Sequence, residues 1–278
     1  MNLEKNRDSM HPNRIEGGLS LDAKESIAKI VIEDALKRFK RPTVVWSAGK
    51  DSTVVLDLVL KVCKKIGVSN PPALFIDHGQ HYDETMKMLS DVSNRWKFKL
   101  IYARNENVLK NVDKNNKIKV KSLDKKNQEE VSRIGFKGEE FEYGLETEVG
   151  NHLLKTVAMN DAIEKYRFDA LFTGIRWDEN EARSREVFIS PRAYPEHVRV
   201  QPILPFTERN VWEYIFKYKL PVHPLYKQGY RSIDGKFDSK KTSDLPAWEQ
   251  DLENTRERAG RSQDKEGVME KLRLFGYM

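Results

Sequence analysis

Apolar residues recur at helical spacing from Leu21 to Phe39, at Ile27, Ile30, Val31, Ala35, Leu36 and Phe39, and predict an amphipathic helix. Pro42 ends that pattern, and Thr43-Val44-Val45-Trp46 predicts a short buried strand. After a polar loop, Ser47–Ser52, a second helix is marked by Val54, Val55, Leu58, Val59 and Val62. Ala73–Ile76 predicts the next strand, closed by Asp77-His78-Gly79. A helix near Tyr82–Trp96 and a strand near Phe98–Tyr102 follow. Continuously apolar strands are those buried on both faces. The β-α-β-α-β rhythm therefore predicts an α/β fold, a doubly wound, mostly parallel sheet with helices on both faces.

The rhythm breaks between about Arg104 and Gly150. Lys110–Lys126 holds seven lysines and few apolar residues, which predicts a mobile, solvated, basic insertion. It reads either as a lid or docking arm or as a plain surface loop. Order returns in a helix over His152–Tyr166 and a strand at Asp169–Thr173 that ends on Gly174. Val198–Val200 and Ile203-Leu204 look like short strand segments, and Thr207 caps a helix carrying Val211, Trp212, Ile215 and Phe216. From Pro221 the chain is loop-rich, with one charged helix expected near Leu245–Arg258. The resulting division is a flexible N-terminus (1–20), an α/β domain (21–220) containing the insertion (104–150), and a C-terminal extension (221–278).

Composition adds limits. Of 278 residues, 38% are hydrophobic, enough for a core, and the net charge of +6 fits an anionic ligand without naming one. A single cysteine, Cys63, excludes an intrachain disulfide, a CxxC pair and a cysteine-built metal cluster, and suits a reducing cytosol. No apolar run approaches the ~20 residues of a membrane helix. Met1–Asn13 lacks the apolar stretch of a signal peptide. The expectation is a soluble, cytoplasmic protein.

The most specific signal is Ser47-Ala48-Gly49-Lys50-Asp51-Ser52, lying between a strand and a helix. Glycine lets the backbone approach an anion, the helix N-terminus offers unpaired N–H groups, Ser47 and Ser52 add hydroxyls, and Lys50 adds charge. A Walker loop needs a glycine where Val44 stands and no acid after the lysine. The loop resembles instead the pyrophosphate loop of the nucleotide alpha-hydrolases, which grips the β- and γ-phosphates as a leaving group.

Further segments narrow the resemblance. Lys165–Glu179 with Ser184-Arg185, Arg199–Ile203 with Thr207-Glu208 and Val211–Ile215, and Pro221–Tyr226 resemble the sulfate-adenylylating and phosphoadenylylsulfate-reducing enzymes. The reducing branch uses a C-terminal cysteine, and this chain has none after Cys63. The tail, Glu257–Arg261 through Asp264–Lys271 to Gly276-Tyr277-Met278, resembles the small, ATP-using subunits of heterodimeric sulfate adenylyltransferases. That resemblance implies ATP and Mg²⁺ as cofactors, sulfate as the small anionic acceptor, adenylyl sulfate and pyrophosphate as products, and a GTPase large subunit as partner. Nucleic acid is not expected, and homo-oligomerisation is left open. The other reading is a reductase-family protein without the cysteine, which adenylylates another acceptor such as flavin mononucleotide or only binds nucleotide. The chain departs from its relatives at Asp77-His78-Gly79, at Arg176-Trp177 and over Ile233–Ser243.

The site expected from these motifs joins three strand ends. Ser47, Ala48, Gly49, Lys50 and Ser52 take the phosphates, and Asp77 takes ribose or adenine. Gly174 admits the backbone to the nucleotide. Asp51 either holds Mg²⁺ or complements the helix dipole. Lys50, on the β- and γ-phosphates, counts as a catalytic cation, and Arg176, Arg183 and Arg185 are the catalytic candidates for the acceptor and the α-phosphate, each arginine with a surface ion pair to Asp178, Glu179 or Glu181 as the alternative. His78 and His81 with Asp77 and Asp83 match no common metal-ligand spacing.

Overall fold

The computed structural model describes residues 18–257, apart from the side chain of Ala182. Helix α1 (Leu21–Arg38) leads to β1 (Pro42–Val45), α2 (Lys50–Ile66), β2 (Ala73–Ile76), α3 (Asp83–Trp96) and β3 (Leu100–Ala103). The chain then builds α4 (Glu106–Lys110), β4 (Lys117–Lys119), α5 (Lys125–Arg133) and β5 (Glu140–Glu142). A long helical stretch follows, α6 (Glu148–Asn151), a π turn over His152–Val157, and α7 (Ala158–Tyr166). Strands β6 (Ala170–Phe172), β7 (Ile189–Ala193) and β8 (Glu196–Val200) and helix α8 (Glu208–Tyr218) complete the regular elements.

The main sheet runs β3-β2-β1-β6-β8-β7, parallel throughout except for the β7–β8 hairpin. Side chains alternate between two packed layers, as strands require. Val44, Phe75, Ala170 and Phe172 face the core built with α1, α2, α3 and α8. Leu74, Ile101 and Leu171 face Ala162 and Ile163 of α7. The doubly wound reading therefore holds. Because the chain moves outward from β1 through β2 and β3 and then returns to β6 on β1's other side, the switch point lies between β1 and β6.

Four expectations need correction. Segment 104–150 is not a structureless loop. β4 pairs antiparallel with β5, and Val108, Ile118, Leu123, Val131, Phe141, Leu145 and Val149 form a second core with Leu153, Leu154 and Val157. Nor is it basic as a whole, since its ten lysines and arginines meet ten aspartates and glutamates, with Lys117 paired to Glu140 across the strands. Ile203-Leu204 lies in turns rather than a strand, because Pro202 has no N–H to continue a ladder. Strand β7 was not anticipated; its Pro191 is tolerated because β7 is a sheet edge. Finally, the described part of the expected Leu245–Arg258 helix forms only a 3₁₀ turn over Ala247–Glu249. The carbonyls of Asp251 and Leu252 accept from Arg231 instead of from helical N–H groups.

The described part of the C-terminal extension is not separate from the domain, since Tyr226, Ala247 and Leu252 belong to the main core. Residues 1–17 and 258–278, which include the proposed flexible N-terminus and the Gly260–Met278 tail, lie outside the described residues.

Candidate active site at the sheet switch point

Trp46 anchors the start of the loop, fully buried against Phe98 with its Nε1 donating to Thr53 Oγ1 at 3.0 Å. Ala48 then takes a left-handed conformation, φ 59°, which non-glycine residues rarely adopt. Such a left-handed residue in a loop before a helix is the kind of turn that anion-binding loops use. The Ser47 N–H donates to Ser52 Oγ at 3.2 Å, which closes the loop on itself, and Gly49 is the N-cap of α2. The first amide of α2, that of Lys50, donates to Tyr226 Oη at 3.0 Å.

Gly174 meets this loop from the end of β6. A Cβ there would lie 2.9 Å from Asp51 C and Ser52 N, so the glycine is required by the α2 backbone beside it. Asp77, at the end of β2, accepts from the Gly79 N–H at 3.0 Å and lies 3.4 Å from His81 and 3.5 Å from Arg104. Burial opposes its charge, yet these donors hold its carboxyl below the usual range. Its neighbour His78 is buried, and burial lowers its pKa to about 4.

The two cations nearest the loop are both buried. Lys50 Nζ pairs with Glu257 Oε1, with Asp51 Oδ2 at 3.2 Å and with Glu208 Oε1 at 3.7 Å. Arg176 spreads its guanidinium over three acids: Nη1 on Asp51, Nε on Asp178 at 2.8 Å, and Nη2 on Glu257 at 2.5 Å. Burial disfavours both charges, but the surrounding carboxylates outweigh it and raise both pKa values above their ordinary range. A third buried cation, Arg231, grips Glu208 with two nitrogens, at 2.7 Å and 2.9 Å. The acids themselves separate. Burial, aided by the nearby Glu257, raises Glu208, whereas burial of Glu257 is overcome by Arg176 and Lys50, which hold it well below the carboxylate range.

Of the residues expected from the motifs, the structure brings Gly174 and Arg176 against the Ser47-Ala48-Gly49-Lys50-Asp51-Ser52 loop. Sequence reasoning missed Glu208, Arg231 and Glu257, which complete the charge cluster. Glu208 and Glu257 stood inside quoted motif segments, but a linear motif does not say which acid meets which cation. Arg183 pairs with Glu179, and Arg185 is exposed, so neither is brought onto the loop as Arg176 is. Asp51 has both carboxylate oxygens engaged by Arg176 and Lys50. Among the described residues no group of three or more metal-ligating side chains is present.

Residues 41–239, which include β1, the loop and β6 through β8, match the family described as the phosphoadenosine phosphosulfate reductase domain. The chain belongs to this family. Sulfate adenylyltransferase subunit 2 from Brucella anthropi is 28% identical over 238 residues, covering 75% of this chain and 67% of that protein. Among solved structures, phosphoadenylyl-sulfate reductase from Candida auris, in a phosphate complex, matches with a TM-score of 0.55 at 17% identity, covering 79% of this chain and 97% of that one. FMN adenylyltransferase from Candida glabrata matches with a TM-score of 0.62 at 14% identity, covering 91% and 94%. At such identities the two structures share a fold with this chain.

Within the family, thiol chemistry is poorly served here. Cys63 is buried in the last turn of α2, and burial pushes its thiol up to about 11. It also stands thirteen residues beyond Lys50, roughly 20 Å along the helix at 1.5 Å per residue. No helix among the described residues is long and apolar enough to cross a membrane.

Proposed function

We propose that this chain is an adenylyltransferase that cleaves the α–β bond of ATP and passes the adenylyl group to sulfate, releasing pyrophosphate. The observation that carries the reading is the placing of Lys50 and Arg176 together at the β1–β6 switch point, beside the loop and helix N-terminus. Ser47, Ala48, Gly49 and Ser52 present N–H and hydroxyl donors to the β- and γ-phosphates. Lys50 and Arg176 neutralise charge about the α-phosphate, while Asp77 and Gly174 border the nucleoside. A sulfate oxygen forms the new bond to the α-phosphorus as the bridging oxygen departs with pyrophosphate. Sulfate is already an anion, so the step needs no general base, only alignment and fixed positive charge.

Similarity to sulfate adenylyltransferase subunit 2 supports sulfate as acceptor and a second, larger subunit as partner, for which we propose a GTPase. Mg²⁺ would neutralise phosphate charge when bound. Asp51 is its proposed contact, its two oxygens being held by Arg176 and Lys50 in the free site. Arg183 and Arg185 assist Arg176 in holding the acceptor anion.

The test is exchange of labelled pyrophosphate into ATP, run with sulfate, with flavin mononucleotide in its place and with neither, each with and without a GTPase subunit. Sulfate-dependent exchange is expected. Exchange that follows flavin mononucleotide alone would replace the acceptor, and no exchange under any condition would leave only nucleotide binding.

A further inference from the structure

The cluster at the switch point is already neutralised from within. Three buried cations, Lys50, Arg176 and Arg231, face four acids, Asp51, Asp178, Glu208 and Glu257. A triphosphate brings several further negative charges. It cannot enter beside all four carboxylates without leaving like charges close together in a dry site, which is strongly unfavourable.

The four acids differ in how they are held. Asp51 sits in the first turn of α2. Asp178 Oδ2 accepts from the Glu208 N–H at 2.8 Å and so caps α8. Glu208 belongs to α8 and is gripped twice by Arg231. Glu257 is different. It comes from an irregular segment, and its carboxylate has one oxygen on Lys50 and the other on Arg176. These are the two cations nearest the loop. The segment before it is tied through Arg231, which donates to the carbonyls of Asp251 at 3.3 Å and Leu252 at 3.0 Å and to Thr255 Oγ1.

We infer that Glu257 is an internal anion occupying the subsite of a phosphate group, and that the Asp251–Glu257 segment is displaced when nucleotide binds. The two carboxylate oxygens stand where two oxygens of one phosphate would bridge Lys50 and Arg176. This assigns both cations to a single oxyanion rather than to separate groups. It makes the free site self-closed, so only a ligand able to replace the Glu257 contacts opens it. The apparent affinity for nucleotide is then reduced by the small fraction of molecules in which Glu257 has left.

This inference rests on the ATP reading, and the test separates the two. Binding of the non-reacting analogue α,β-methylene ATP is measured by calorimetry to the wild-type chain and to Glu257→Gln, which keeps the shape and removes the charge. The variant is expected to bind about tenfold more tightly. Unchanged or weaker binding overturns the inference. In the wild-type chain, hydrogen exchange at residues 251–257 is expected to accelerate with the analogue while residues 47–52 become protected. Slower or unchanged exchange at 251–257 overturns it without recourse to any variant. An analogue that binds neither protein would defeat the ATP reading itself and the inference with it.

Discussion

The charge cluster beside Ser47–Ser52 and the 104–150 insertion both bring cations and acids together, and the fold uses the two in opposite ways. At the loop, Lys50 and Arg176 are 2% and 1% exposed. In the insertion, Lys117 and Glu140 pair with 43% and 42% of their side chains exposed, and the buried charged groups of the loop give way to an apolar core with two neutral amides, Asn105 and Asn127. Burying a charge costs several kcal/mol unless partners are supplied, whereas an exposed pair contributes about 0–1 kcal/mol. A fold that buries cations among acids beneath a phosphate-type loop is therefore built around them. A fold that leaves them outside is built around something else. In the insertion that something is the Phe141 cluster.

The contrast predicts a graded series of losses. Lys50→Ala removes a cation from the loop and leaves Glu257 with Arg176 alone. Adenylyl transfer should fall by about 10²–10³-fold, and unfolding free energy in a denaturant titration should fall by about 3–5 kcal/mol. Equal activity in the variant would place the chemistry elsewhere. Phe141→Ala should cost about 3–5 kcal/mol of local stability. Amide exchange over 104–150 should lose protection while β1 and β6 keep theirs. Loss of protection across both sheets together would mean that the insertion is not a core of its own. Lys117→Ala should change stability by less than about 1 kcal/mol and leave transfer unchanged. A large effect would show that the insertion's surface charges take part in function.

The same contrast explains what could be read from the chain alone. Strands β1, β2, β3 and β6 were legible because a parallel strand buried on both faces is an unbroken apolar run. The loop was legible because its strand, glycine, lysine and helix are contiguous. The insertion was not, since its apolar positions are sparse and the strand pairing that joins Lys117 to Glu140 spans 23 residues of sequence. Glu257 was hidden for a related reason: it reaches Lys50 across 207 positions of sequence. The Thr207 cap lay between these cases. Thr207 was legible as a cap from its residue type, and both hydrogen bonds of a capping box form, with Asn210 in the place usually taken by glutamate or glutamine.

If the loop holds pyrophosphate as a leaving group, phosphorus NMR of the reaction mixture reports it directly. With ATP and sulfate, together with the larger subunit, pyrophosphate and an adenylyl-linked product are expected in equal amounts. Release of inorganic phosphate with ADP would mean that the β–γ bond breaks instead, and would contradict that role of the loop.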